Sequence, residues 1–231
     1  MQLAQVQGGA DSARADDAST LKGEVIYWVA ANSERIDLQL SPRSKRDRGL
    51  SHDLTGRLLC PVDYDWTDNR VRTSIREYDP DFRVTAFSWP RFLYKGDTYN
   101  LNEPSKGLFQ SDILVKSFKC IFTSPSSARR HDGGDEAIHF KGPNPRHRSH
   151  VAALLRMKSV HPRAIAYIAV QVRFALSCAD SWALEDEDFN YETFYYNIVD
   201  YFEAPGSPEK AFEIKTLLLW WNRYVRPRVV K

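Results

Sequence analysis

Residues 159–224 read SVHPRAIAYIAVQVRFALSCADSWALEDEDFNYETFYYNIVDYFEAPGSPEKAFEIKTLLLWWNRY, and three amphipathic helices follow from their spacing. In the first, Pro162 sits in the opening turn behind Ser159 or His161 as cap, where a missing N–H costs little. Ile165, Ile168, Ala169, Val172 and Leu176 form one stripe, and Tyr167, Val170 and Phe174 make the opposite side apolar too. A helix apolar nearly all round belongs in the centre of a core. Asn190 then caps a second helix with Tyr191, Tyr195, Ile198, Val199 and Phe202 on one face. Ser207-Pro208-Glu209 opens a third, with an N-cap, a first-turn proline and an acidic residue that complements the helix dipole. Ile214, Leu217, Leu218, Trp221 and Val225 form its stripe, Arg223 and Arg226 suit its C-terminal end, and Pro227 ends it.

Outward from this block the pattern weakens. Leu108 to Phe122 predicts a helix, with Ile113, Leu114, Ser117, Phe118 and Ile121 at threes and fours and Pro125 beyond it. Val151 to Met157 predicts a short one. Asp68 to Tyr78 predicts another, capped by Asp68, with Val71 and Ile75 on one face. The apolar run Leu21 to Ala30 suits a helix capped by Thr20, although Val25, Ile26, Tyr27 and Val29 also suit a strand. Pro90 confines any helix in Val84 to Tyr94 to a short piece. The polar stretches 41–50, 95–106 and 124–149 read as loops. The fold expected is mainly α: a single irregular helical domain over 19–226, with a loop-rich N-terminal half and a C-terminal helical core. Residues 1–18 are expected to be flexible or frayed, 124–149 to form a long polar loop inside the domain, and 227–231 to be a tail.

A chain of 231 residues can bury a core large enough to need no staples. The three cysteines, Cys60, Cys120 and Cys178, lie far apart, which argues against a disulfide framework or a zinc knuckle and for small apolar fillers in a reducing compartment. No apolar run reaches the ~18 residues of a membrane span. No basic segment followed by an apolar one opens the chain. The expectation is a soluble, intracellular protein without membrane contact, nucleus and cytoplasm undecided.

The segments GLSHDLTGRLLCP, VTAFSWPRFLY, GLFQSDILVKSFKCIFTSPSSA, HPRAIAYIAVQVRFALS, FYYNIVDYFE and LLLWWNR resemble, in order, a domain-of-unknown-function family abundant in mushroom-forming fungi. The resemblance runs from about Ala10 to Arg223. It implies a fungal source and no activity, cofactor or functional residue. Members of that family carry a longer, variable segment ahead of the part similar to QGGADSARADDASTLK. This chain starts almost inside that part, which implies a shortened or decayed copy.

Charge supplies the functional candidates. Net charge is only +2, so nucleic-acid affinity has to come from local patches. Every charged residue from Ala137 to Ala179 is basic, and every one from Asp180 to Glu203 is acidic. Arg43, Lys45, Arg46 and Arg48 form one basic cluster; Arg129, Arg130, Arg146, Arg148, Arg156 and Lys158 form another. Such clusters on loops and helix ends suit phosphate contacts. The acidic block competes as their partner inside the fold. His131, Asp132, Asp135, Glu136 and His139 are the densest set of metal-ligating types, in a Gly-Gly loop without the apolar framing that a second shell needs. His52-Asp53 lacks the spacing of an iron-binding facial triad, and no GxSxG, P-loop, GxGxxG or HExxH motif occurs. No cofactor is implied. The leading expectation is a non-enzymatic helical interaction domain with a protein partner. The alternative is a nucleic-acid-binding accessory factor linked to mobile elements, and the third is a metal-dependent enzyme using the His131–His139 loop.

Overall fold

In the structure, a computed structural model, residues 2–31, 40–123, 128, 151 and 157–225 are described. Among them lie seven α-helices and one two-stranded hairpin, so the fold is mainly α. Its axis is the apolar helix of the decisive stretch. Pro162–Leu176 (here α5) carries eleven buried residues in a row of fifteen, Ile165 to Leu176 with only Tyr167 standing partly out. Each fully buried aliphatic or aromatic side chain contributes roughly 1.5–3 kcal/mol of transfer free energy, so this helix organises the core.

Four helices close around α5. Gln2–Ala31 (α1) lays Leu21, Val25, Trp28 and Val29 against it. The helical reading of Leu21 to Ala30 holds, but Thr20 is no cap: the helix runs through it, and its Oγ1 donates to Asp16 O one turn back. Asp53–Leu59 (α2) and Asp112–Phe118 (α4) cover further sides. Tyr191–Glu203 (α6) packs along α5 after the chain has turned through the hairpin Glu185–Asp186 (β1) and Phe189–Asn190 (β2). Asn190 accepts from Thr193 N at 2.8 Å, as its cap position predicts.

The helix expected over Leu108 to Phe122 is shorter at its start and altered at its end. Phe109 takes φ 57 and drives a fully buried ring between Trp89, Tyr201 and Phe202. The chain therefore cannot be helical until Ser111 caps α4 by accepting from Leu114 N. At the other end α4 passes into a π-helical turn, Lys119–Thr123, which keeps Cys120, Ile121 and Phe122 inside.

Asn69–Arg76 (α3) starts at Asp68, whose carboxylate accepts from Arg70 N at 2.8 Å. It belongs to a satellite core of Cys60, Trp66 and Ile75, with Leu50, Tyr64, Val71, Phe82 and Val84 packed on it. Gly56 of α2 makes this possible: a Cβ there would meet the Trp66 ring at 2.5 Å and Leu50 O at 2.9 Å. Finally, Pro208–Tyr224 (α7) begins at Ser207, which accepts from Lys210 N at 3.2 Å. It seats Ile214, Leu217, Trp221 and the following Val225 in the core. The short helix expected at Val151 to Met157 lies outside the described residues except at its ends.

Candidate functional site

The final turn of a helix leaves carbonyls without helical donors and carries partial negative charge. At the end of α5 Arg48 from the 41–50 loop meets that demand, and Lys45 from the same loop donates to the chain just beyond the helix. Lys45 and Arg48 are each 1% exposed, the reverse of a phosphate-contacting patch. Arg48 donates from Nη1 to Ala175 O at 2.7 Å and from Nη2 to Ser41 O at 2.8 Å. Lys45 Nζ donates to Ala179 O at 2.6 Å and stands 3.4 Å from the centre of the Phe174 ring. Burial pushes the Lys45 ammonium down to about 7, with Arg48 adding to the effect and Asp186 opposing it. Burial alone brings Arg48 down to about 10. Gly49, at φ +81, follows directly and passes so close to Cys178 that a Cβ would stand 3.3 Å from its backbone N and Sγ.

A third cation completes the cluster from within α5. Arg173 Nη1 donates to Asp186 Oδ2 at 2.9 Å and to the Tyr191 hydroxyl at 2.8 Å. Its guanidinium stacks 3.4 Å from the centre of the Phe189 ring. Tyr191 in turn donates to Asp186 at 3.1 Å, and desolvation holds its phenol up at about 12. The acidic run is thus not simply a solvated surface: the β1–β2 hairpin aims one of its members into the core. At the other end of α5, Arg163 donates from Nε and Nη2 to the two carboxylate oxygens of Glu203, both at 2.9 Å. Tyr78 donates to Glu187 at 2.6 Å, and Arg83 lies 3.9 Å from Asp188. Basic and acidic blocks therefore meet at Arg173 and Arg163.

Of the remaining basic candidates, Arg43, Arg46 and Lys158 are exposed. Arg129, Arg130, Arg146, Arg148 and Arg156 lie outside the described residues, as do His131, Asp132, Asp135, Glu136 and His139. Among the described residues no group of three or more His, Cys, Asp or Glu side chains could hold a metal ion. No helix there is long and apolar enough to cross a membrane. Cys60 and Cys120 are the buried fillers expected, whereas Cys178 is exposed. Burial raises the Cys60 thiol to about 11, far from the thiolate that nucleophilic chemistry uses.

The surface offers a different feature, on α7. Beside its buried stripe runs a shallow groove of about 280 Å³, floored by Phe202, Ile214 and Leu218 and edged by Pro205, Lys215 and Leu219. Leu219 is 54% exposed and Phe212 72%. At 3.6 residues per turn both lie roughly 150° around the helix from Ile214, away from the core. The aromatics assigned to the core by spacing behave as such at Phe202 and Trp221, both buried. Phe212 and Leu219 were legible in the sequence among the large apolar residues that fall off the α7 stripe, with Trp220 and Tyr224, a signal that a stripe-matching reading passes over.

A family model described as "Family of unknown function (DUF6698)" matches residues 8–226, so the chain belongs to that family. No curated protein and no solved structure matches the chain.

Proposed function

We propose that this member of the DUF6698 family is a protein-interaction domain whose contact surface is the outer face of α7 and the groove beside it. The observation that carries the reading is the pair Phe212 and Leu219, two large apolar side chains held open to solvent on one face of a well-formed helix, with Leu219 lining an apolar groove. Scattered apolar residues are normal on a protein surface, but an apolar ridge beside an apolar groove is the form of a contact site. The buried cations point the same way by subtraction. Lys45, Arg48 and Arg173 are buried and donate to the chain's own carbonyls, carboxylate and hydroxyl, which leaves Arg43, Arg46 and Lys158 as the described part of the basic candidates on the surface. On the resemblance to the family expanded in mushroom-forming fungi, we take the source to be fungal and the partner to be intracellular.

A photo-crosslinking residue in place of Leu219, in the full chain expressed in its source cells, tests this. Discrete protein adducts are expected from position 219 and not from Tyr78, an exposed control just beyond the end of α3. Absence of adducts at 219 removes the reading.

A further inference from the structure

The charges on the open face of α7 narrow the occupant. Glu209 stands one turn before Phe212, and Arg223 one turn after Leu219; all four side chains are exposed and share the face turned from the core. The pattern along the helix is therefore acidic, apolar, apolar, basic, with Lys215 and Thr216 midway, both exposed. Such a face is its own complement when reversed. Resting on the interaction reading above, we infer that its occupant is a second copy of this chain, paired antiparallel through α7 about a two-fold axis near Lys215 and Thr216.

In that arrangement Phe212 of each copy meets Leu219 of the other, and Glu209 of each meets Arg223 of the other, twice over, as a two-fold axis requires. A parallel pairing sets Glu209 against Glu209 and Arg223 against Arg223, which like-charge repulsion opposes. A partner of one sign is matched at one end of the face and repelled at the other. Lys215 does not block the axis: it lines the groove and is exposed, and a lysine stem lies along apolar surface while its ammonium stays in water. The contact is limited to one helix of about 25 Å plus the groove walls, toward the small end of specific interfaces. The association is accordingly reversible, concentration-dependent and weakened by salt.

Sedimentation equilibrium of the full chain over a wide concentration range tests the pairing. A reversible monomer–dimer equilibrium is expected. Leu219→Glu and Arg223→Glu should each weaken it by about tenfold or more, equivalent to ~1.4 kcal/mol. The charge exchange Glu209→Arg with Arg223→Glu should restore it, since it rebuilds both pairs in reverse. A chain monomeric throughout, a dimer indifferent to Leu219→Glu, or an exchange that fails to restore pairing overturns the proposal. The photo-adduct at position 219 separates the two readings. An adduct of twice the chain's mass supports the self-pairing, whereas adducts with other proteins alone overturn it and leave the interaction domain standing.

Discussion

The end of α5 and the outer face of α7 invert the ordinary arrangement in opposite directions. At the first, three cations, Lys45, Arg48 and Arg173, are buried. At the second, two large apolar residues, Phe212 and Leu219, stand in solvent. The buried charges are explained locally, because each finds helix-end carbonyls, an aromatic face or a carboxylate. The exposed apolar pair finds nothing comparable within the described chain. The contrast separates two uses of an unusual residue: one closed by internal partners, which reads as structure, and one left open, on which the proposed contact rests. Hydrophobicity or charge alone does not distinguish them; the partner does.

The sharpest way to break this contrast is to remove a buried partner. Arg173→Met keeps the volume of the side chain and leaves the carboxylate of Asp186 without its ion pair. Breaking one side of a buried pair costs about 3–5 kcal/mol, and the Arg173 side chain is only 6% exposed. Urea denaturation should show a loss in that range. A loss under about 1 kcal/mol would show the pair to be no more than a surface bridge. Next in size stands Arg48→Met, which takes the donors from Ala175 O and Ser41 O. An orphaned buried acceptor costs roughly 1–3 kcal/mol, and the loss should appear as a lowered midpoint at unchanged slope.

These two positions also mark where the sequence stopped being legible. The caps at Asp68, Asn190 and Ser207 could be read directly, because an N-cap is satisfied within three residues of itself. The central helix was legible from its composition, since a helix apolar on every side has only one place to go. Arg48 was not, because its acceptor Ala175 is 127 positions away in sequence and nothing near it announces a helix end. A basic loop reads as solvated until the fold delivers carbonyls to it. Phe109 failed for a related reason: the apolar period runs through it, but the ring pocket that holds it at positive φ is built from Trp89, Tyr201 and Phe202. The α7 face lay between these cases, visible as residues off the stripe yet meaningless until the groove beside them was known.

Lys45 sharpens the comparison through pH. Its folded value of about 7 lies below the unfolded value of roughly 10.4. Below pH 7 both states carry the proton, and the fold bears the full cost of burying it. Between the two values the unfolded chain still holds the proton while the folded chain sheds it, so stability rises with pH across that window. One proton gives a slope of at most about 1.4 kcal/mol per pH unit. The Ala179 carbonyl and the Phe174 ring favour the ammonium, so the observed slope should fall below that limit. Asp186, Cys178, Arg48 and Lys22 are the charged and titratable groups acting on it. Lys45→Met should flatten the rise between pH 7 and 10 in chemical denaturation series. A slope unchanged by the substitution would mean that the ammonium keeps its proton throughout, and that the cluster resembles a solvated site more than a buried one.

The smallest effect is expected on the other side of the contrast. Leu219→Glu puts a charge where a leucine already faces water, with 54% of its surface exposed. Surface substitutions away from caps, cores and ion pairs usually change stability by no more than about 0.5 kcal/mol in either direction. Measured at high dilution, where any association is lost, the variant should match the parent chain within that margin. Should it instead unfold the domain by several kcal/mol, Leu219 would be part of the core, and α7 would have no open face. A neutral result has the opposite force. An exposed leucine that contributes nothing to folding, at the edge of an apolar groove and beside an exposed phenylalanine, is not maintained by the stability of the monomer. That is the result the proposed contact outside the monomer requires.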